Sequence, residues 1–241
     1  MAQGKGQGMA RDIKGLVFDK DGTLFDFRKS WGGWAQGLLT QMASDRAHAR
    51  RLGQAIGYDL ETGVFAPDSP VIAATAADIA LALSTHLPGR GTAEITAHIN
   101  AAAAMAPMAE AVPLVPLMTA LKARGLSLGL ATNDTEVPAR AHLAAHGLTD
   151  LFDFIAGYDS GHGPKPGPGM CQAFARQTGL DPRQCAMVGD SLHDLHAGKA
   201  AGMTAIAVLT GIAGREELRP AADVILPDIG ALPAWLDGCE F

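Results

Sequence analysis

The sequence predicts an α/β fold, a Rossmann-like parallel sheet core with a helical cap domain inserted after its first strand. Three observations predict it. Short apolar runs recur along the chain and several end on an acidic or hydroxyl residue, as buried parallel strands do. Helical stretches separate these runs in the second half, several of them closing on glycine. Between the first run and the rest lies an Ala-rich stretch short of β-branched runs, which reads as a separate helical unit.

Taken in order, Gly15 to Phe18 is the first strand and ends at Asp19. Helical patterns then cover Trp31 to Ile56, Pro70 to Leu87 and Thr92 to Met105. The core resumes with a helix over Leu114 to Arg124 and a strand over Leu126 to Ala131 that ends before Thr132. Next come a helix over Val137 to His146, a strand over Phe152 to Ala156 and a helix over Pro168 to Thr178. Cys185 to Val188 is a strand leading into Gly189-Asp190, and Asp194 to Ala201 a helix. Strands over Thr204 to Leu209 and Asp223 to Leu226 complete the series. The expected organisation is a discontinuous core of residues 11–26 and 109–241 and a cap of residues 27–108, joined near Asp26 and at Pro107 to Pro113.

With 241 residues, 48% of them apolar, the chain can bury a sizeable core. Its formal charge of -6 lacks the basic excess with which nucleic-acid and anionic-membrane binders attract phosphates, so neither partner is expected. Cys171, Cys185 and Cys239 form no CxxC pair and no even disulfide framework, which suits a reducing cytosol. Met1 to Ala10 has no apolar stretch of the signal-peptide kind and reads as a tail, with Met9 as an alternative start. Val71 to Leu83, the longest apolar run, is interrupted by Asp78 and too short to span a bilayer. A cytoplasmic protein, monomer or homodimer, is expected.

Asp19-Lys20-Asp21-Gly22-Thr23 follows an apolar strand directly, and in extended chain Asp19 and Asp21 share a face while Lys20 turns aside. Asp and Gly also end strands in ordinary turns. Gly189-Asp190 through Asp194 stands at a second strand end; Asp194 there could cap a helix, a role that does not account for Asp190. If the two strands are neighbours, four carboxylates converge, and each like-charged pair at about 4 Å costs on the order of 4 kcal/mol near a protein surface. A bound cation relieves that repulsion, and an all-oxygen ligand set without Cys or clustered His points to Mg²⁺ rather than zinc. Thr132-Asn133 brings a hydroxyl and an amide to another strand end, suited to phosphoryl oxygens though equally an ordinary turn. Lys165 lies between Pro164 and Pro166, whose stiffness restrains an ammonium that is otherwise a common surface group.

In this order and at these strand ends, the motifs resemble those of the haloacid dehalogenase-like hydrolase superfamily, over about Ile13 to Leu236. The stretch Gly157 to His162 and the C-terminal pattern look most like its phosphoglycolate-phosphatase-type members. The resemblance implies a phosphatase acting on a small phosphorylated metabolite, with phosphoglycolate the best single guess. It implies Asp19 as the nucleophile that forms an aspartyl phosphate, and Asp21 as general acid and base. It implies Mg²⁺ held by Asp19, the backbone carbonyl of Asp21 and Asp190, with Asp194 assisting. Thr132, Asn133 and Lys165 would hold the charge of the phosphoryl group. Lys20 departs from the apolar residue common at its position, and a side chain turned away from the site makes that departure harmless. A sugar phosphomutase and a non-catalytic phosphate-binding regulator are the alternative readings.

Other features read as structural or remain open. His142 and His146 share a helix face at metal-like spacing but lack a third ligand. Trp31 and Trp34 read as cap packing or as pocket lining, His196 as solvent-facing and His193 as near the site. Arg28, Lys29 and His162 are candidate contacts for a carboxylate or leaving group.

Overall fold

A computed structural model describes residues 12–239 and 241 of the chain; Met9 and the tail before it lie outside the described residues. Strand β1 (Gly15–Phe18) leads into the helical insert, which comprises α1 (Phe27–Met42), α2 (Arg46–Ala55), the two-residue strands β2 (Tyr58–Asp59) and β3 (Val64–Phe65), α3 (Ala76–Ser84) and α4 (Thr92–Ala104). The remainder runs α5 (Leu114–Ala123), β4 (Ser127–Ala131), α6 (Glu136–Ala145), β5 (Phe154–Ala156), α7 (Gly169–Thr178), β6 (Cys185–Gly189), α8 (Leu192–Ala200), β7 (Thr204–Val208), α9 (Arg215–Leu218), β8 (Val224–Leu226) and α10 (Leu232–Leu236).

Six strands form one parallel sheet in the order β5-β4-β1-β6-β7-β8. The apolar runs are continuous because both faces are covered. On one face Leu16, Phe18, Leu128, Leu130, Val188 and Ile206 pack with side chains of α5, α6 and α10. On the other, Val17, Cys185 and Met187 meet Met170, Cys171 and Phe174 of α7 and Ala197 of α8. Gly129 is small for a reason, since a Cβ there would overlap the Phe174 ring.

The insert has its own apolar cluster, built on Trp31, Leu38, Leu39, Leu52, Ile79, Leu83 and Ile95. The long helical pattern expected over Trp31 to Ile56 is two helices. Asp45 breaks it by accepting the His48 backbone N–H at 2.7 Å, which caps α2 and leaves Ala43 extended. The two crossings between insert and core lie side by side: Asp26 N–H donates to Ala109 O at 2.8 Å, Ala111 N–H to Leu24 O at 2.9 Å, and Ala109 N–H to Ser30 Oγ at 3.1 Å. Among the described residues, no helix is long and apolar enough to cross a membrane.

Candidate active site

Strand order reverses at β1, which lies between β4 and β6, and the crevice beyond such strand ends is where open α/β sheets bind ligands. Phe18 is in register with Leu130 and Val188, so Asp19, Thr132 and Asp190 leave the sheet at nearly one level. Asp19 N–H still donates to Val188 O at 2.9 Å. The chain then turns at Gly22, whose φ of 87° suits glycine, and Gly22 N–H closes the turn on Phe25 O at 2.7 Å.

Asp19, Asp190 and Asp194 are buried, with one carboxylate oxygen from each lying within 4.8 Å of the others. Lys165, also buried, reaches across them, its Nζ 2.5 Å from Asp19 Oδ1 and 2.6 Å from Asp194 Oδ1. Asp190 accepts the Thr23 hydroxyl at 3.2 Å and sits where a Cβ on Gly22 or Gly211 would overlap it. Asp194 does not cap α8, which begins two residues earlier. Ser191 is the cap, and Asp194 answers it from the third helical position, accepting the Ser191 backbone N–H at 3.0 Å and hydroxyl at 2.7 Å. Its other oxygen is thereby aimed at Lys165.

Burial, together with the neighbouring Asp194 and Asp21 and against the pull of Lys165, raises the Asp19 carboxyl to about 7. Burial and the same crowd of carboxylates push Asp190 well above the usual carboxylate range. Burial alone would lower the Lys165 ammonium, but Asp19 and Asp194 outweigh it and hold it above its ordinary value. Three carboxylates thus face one ammonium. The excess charge, the hard oxygen donors and the absence of Cys or His from the group fit a divalent cation of the Mg²⁺ kind held by Asp19, Asp190 and Asp194. The Asp21 side chain lies outside this group.

Asp21 is instead held from two sides. The Trp31 indole N–H donates to its Oδ1 at 2.8 Å, and Lys20 Nζ lies 2.9 Å from its Oδ2. Here the expectation for Lys20 fails: it turns away from Asp19, yet it is fully buried and its ammonium serves Asp21 directly. The same ammonium pairs with Asp134 at 3.0 Å, donates to His142 Nδ1 at 3.1 Å and lies 5.1 Å from the centre of the Trp31 ring. A buried lysine requires such partners.

Thr132 Oγ1 accepts the Asp134 N–H at 3.1 Å, leaving its own proton available. The Asn133 side chain is bonded to the lysine loop: its Oδ1 accepts Lys165 N–H at 2.8 Å, and its Nδ2 donates to Lys165 O at 3.0 Å and Ala73 O at 2.8 Å. It fixes the lysine loop and ties it to the insert. Asp19, Asp21, Thr132, Asn133, Lys165, Asp190 and Asp194 all line one cavity under the insert.

Arg28, Lys29 and His162 do not reach the cavity; Arg28 is exposed, Lys29 pairs with Asp26 at 3.0 Å, and His162 is exposed near Phe154. His142 and His146 are packed, their Nε2–H groups donating to Ala103 O (2.8 Å) and Met108 O (3.1 Å) respectively. His193 lines the cavity and His196 is exposed. Trp31 and Trp34 both pack in the insert and line the cavity. Reading the sequence missed Asp134 and His142 as partners of Lys20, and Gly211 beside Asp190. Only the oddity of a lysine between two aspartates pointed that way.

The sequence profile of haloacid dehalogenase-like hydrolases matches residues 13–202. A phosphoglycolate phosphatase of Rhodospirillum rubrum is 31% identical over 92% of this chain and 90% of its own length. A relative named "Probable phosphatase IndB", of Dickeya dadantii, is 39% identical over 48% of the chain, a match that takes in 53% of that relative. The crystal structure of CbbY from Rhodobacter sphaeroides in complex with phosphate superimposes with a TM-score of 0.72 at 22% identity, over 93% of this chain and 99% of that one, which supports the fold.

Proposed function

Because the chain belongs to the haloacid dehalogenase-like hydrolase family, we propose that it is a Mg²⁺-dependent phosphoric monoester hydrolase working through a phosphorylated Asp19. The observation that carries the reading is the buried meeting of Asp19, Asp190, Asp194 and Lys165 beside an independently held Asp21. A binding protein has no need of both a nucleophile and a separately oriented proton carrier.

In the first step an Asp19 oxygen attacks phosphorus, and the bond from phosphorus to the alcohol oxygen breaks as Asp21 gives that oxygen a proton. In the second, Asp21 takes a proton from water as the water attacks the aspartyl phosphate, releasing phosphate and restoring both carboxyls. Lys165 and the free proton of Thr132 hold negative charge on the transferring group. Asn133 keeps Lys165 in reach. Asp19, Asp190 and Asp194, with the Asp21 carbonyl, would hold Mg²⁺, which would supply positive charge to the phosphoryl oxygens and favour the ionised nucleophile.

The test is phosphate release from a panel of phosphorylated metabolites with Mg²⁺ and with chelator, for wild type and Asp19→Asn. Release that both chelator and substitution abolish is the expected result. Isomerised sugar phosphate without net phosphate would favour a mutase, and activity retained in Asp19→Asn would exclude the covalent route. Phosphoglycolate belongs on the panel because the R. rubrum relative carries its name.

A further inference from the structure

The cavity has two unlike walls. The sheet side supplies its carboxylates, with Lys165 and His193 as the basic side chains among the lining residues. Every side chain that the insert contributes is apolar: Trp31, Trp34, Val71, Ile72, Ile79 and Ile99, with alanines filling the rest. Their hydrogen-bonding capacity is nearly spent. The Trp31 N–H is taken by Asp21, and the carbonyl of Ala73 by Asn133. Among the side chains of this wall, what is left is the Trp34 Nε1–H, buried and without a partner. A buried N–H is costly to leave unmatched, and the residue that carries this one lines the cavity.

The phosphoryl end of a substrate is fixed by Asp19 and Lys165, so its leaving group extends toward this wall. A carboxylate placed there would lose its water and meet no cation on the insert side of the cavity. The Lys20 ammonium is not available to it, being committed to Asp21 and Asp134. Resting on the phosphatase reading, we propose that the physiological substrate is the phosphomonoester of an uncharged, largely apolar alcohol, with one hydrogen-bond acceptor that Trp34 Nε1–H recognises. Trp34 is then a specificity residue. It takes no part in the chemistry at phosphorus.

Three near-isosteric substrates separate charge from shape: phosphoglycolate, isobutyl phosphate, in which the carboxylate oxygens become methyl groups, and the methyl ester of phosphoglycolate, neutral with a carbonyl acceptor. Acetyl phosphate, which asks little of the leaving-group wall, reports on the core chemistry. With Mg²⁺, kcat/KM for the methyl ester and isobutyl phosphate exceeds that for phosphoglycolate by about tenfold or more, the penalty of an unpaired buried anion. Trp34→Phe keeps an aromatic ring but removes the donor, and lowers kcat/KM for the ester about fivefold more than for isobutyl phosphate. Ile72→Lys, on a partly exposed segment, shifts the ranking toward phosphoglycolate. Phosphoglycolate leading in the wild type overturns the inference while leaving the phosphatase reading intact, and equal loss for ester and isobutyl phosphate in Trp34→Phe removes Trp34 from recognition. Release from none of the four overturns the hydrolase reading and this inference with it.

Discussion

Lys20 is the residue whose surroundings decide how Asp21 is presented. Its ammonium has no solvent and four neighbours, Asp21, Asp134, His142 and the Trp31 ring, so it holds the Asp21 carboxylate against the insert. Lys20→Met restores an apolar side chain of similar length and removes that hold. Steady-state kinetics then show kcat down about tenfold with KM nearly unchanged, a loss smaller than that of a whole general acid. His142 reports on the same cluster through pH. Lys20 can only donate to Nδ1 and Ala103 O can only accept from Nε2–H, so both contacts require the neutral ring. Burial, then the Lys20 charge, accordingly lower His142 from 6.5 to about 4. The unfolded chain binds the proton first as pH falls, so this contribution is full above pH 6.5 and lost as pH drops through about 4. Thermal melts from pH 7 to 4 therefore show the advantage of wild type over His142→Gln shrinking, by up to about 3 kcal/mol.

At the level of elements, the site is an outcome of strand ends and the turns after them. The loop following β7 folds back over the turn after β1, where Thr210 Oγ1 donates to Gly22 O at 2.5 Å, and it brings Gly211 against Asp190. Gly211→Ala would drive a methyl group into that carboxylate, whereas Gly214 in the same loop has open space around it. The expected result is a loss of Mg²⁺-dependent release of about a hundredfold in Gly211→Ala, as for displaced metal ligands or their supports, and little change in Gly214→Ala. The strands and their terminal residues were legible because a parallel strand buried on both faces is a continuous apolar run, and its last residue is where polarity returns. Helix boundaries in the core followed to within about two residues, whereas the helix expected from Pro70 begins only at Ala76, where Thr75 caps it. The break between α1 and α2 was not read, although Asp45 carries the cap signal, because the apolar period continues through it. The strands β2 and β3, two residues each, are too short to have a period at all. Partners of Lys20 lie more than a hundred positions away, at Asp134 and His142, and such pairs have no local signature.

Across the whole molecule, two apolar clusters meet over a charged seam, and that seam is a standing cost of the fold. Asp19 is raised by burial and by Asp194 and Asp21, and Asp190 by burial and by Asp19 and Asp194, against a single bridging ammonium from Lys165. For carboxyls raised in this way the stability they lend is full below their ordinary pKa, near 3.8, and is lost as pH rises through the folded value, about 7 for Asp19. In chelator the melting temperature should therefore fall between about pH 4 and about pH 7. A cation bound to the folded form alone adds about 2.7 kcal/mol at a concentration a hundredfold above its Kd, and it opposes the same repulsion, so Mg²⁺ should both raise the melting temperature and flatten its pH dependence. Asp190→Asn separates the two effects. By deleting one of the crowded carboxylates it should raise the melting temperature measured in chelator, and by deleting a ligand it should abolish the gain from Mg²⁺. A variant that melts lower in chelator yet still responds to Mg²⁺ would mean that Asp190 is needed by the fold rather than by the cation. The opposite pattern assigns the strain of the seam to the work of holding a metal and a phosphoryl group between Asp19 and Lys165.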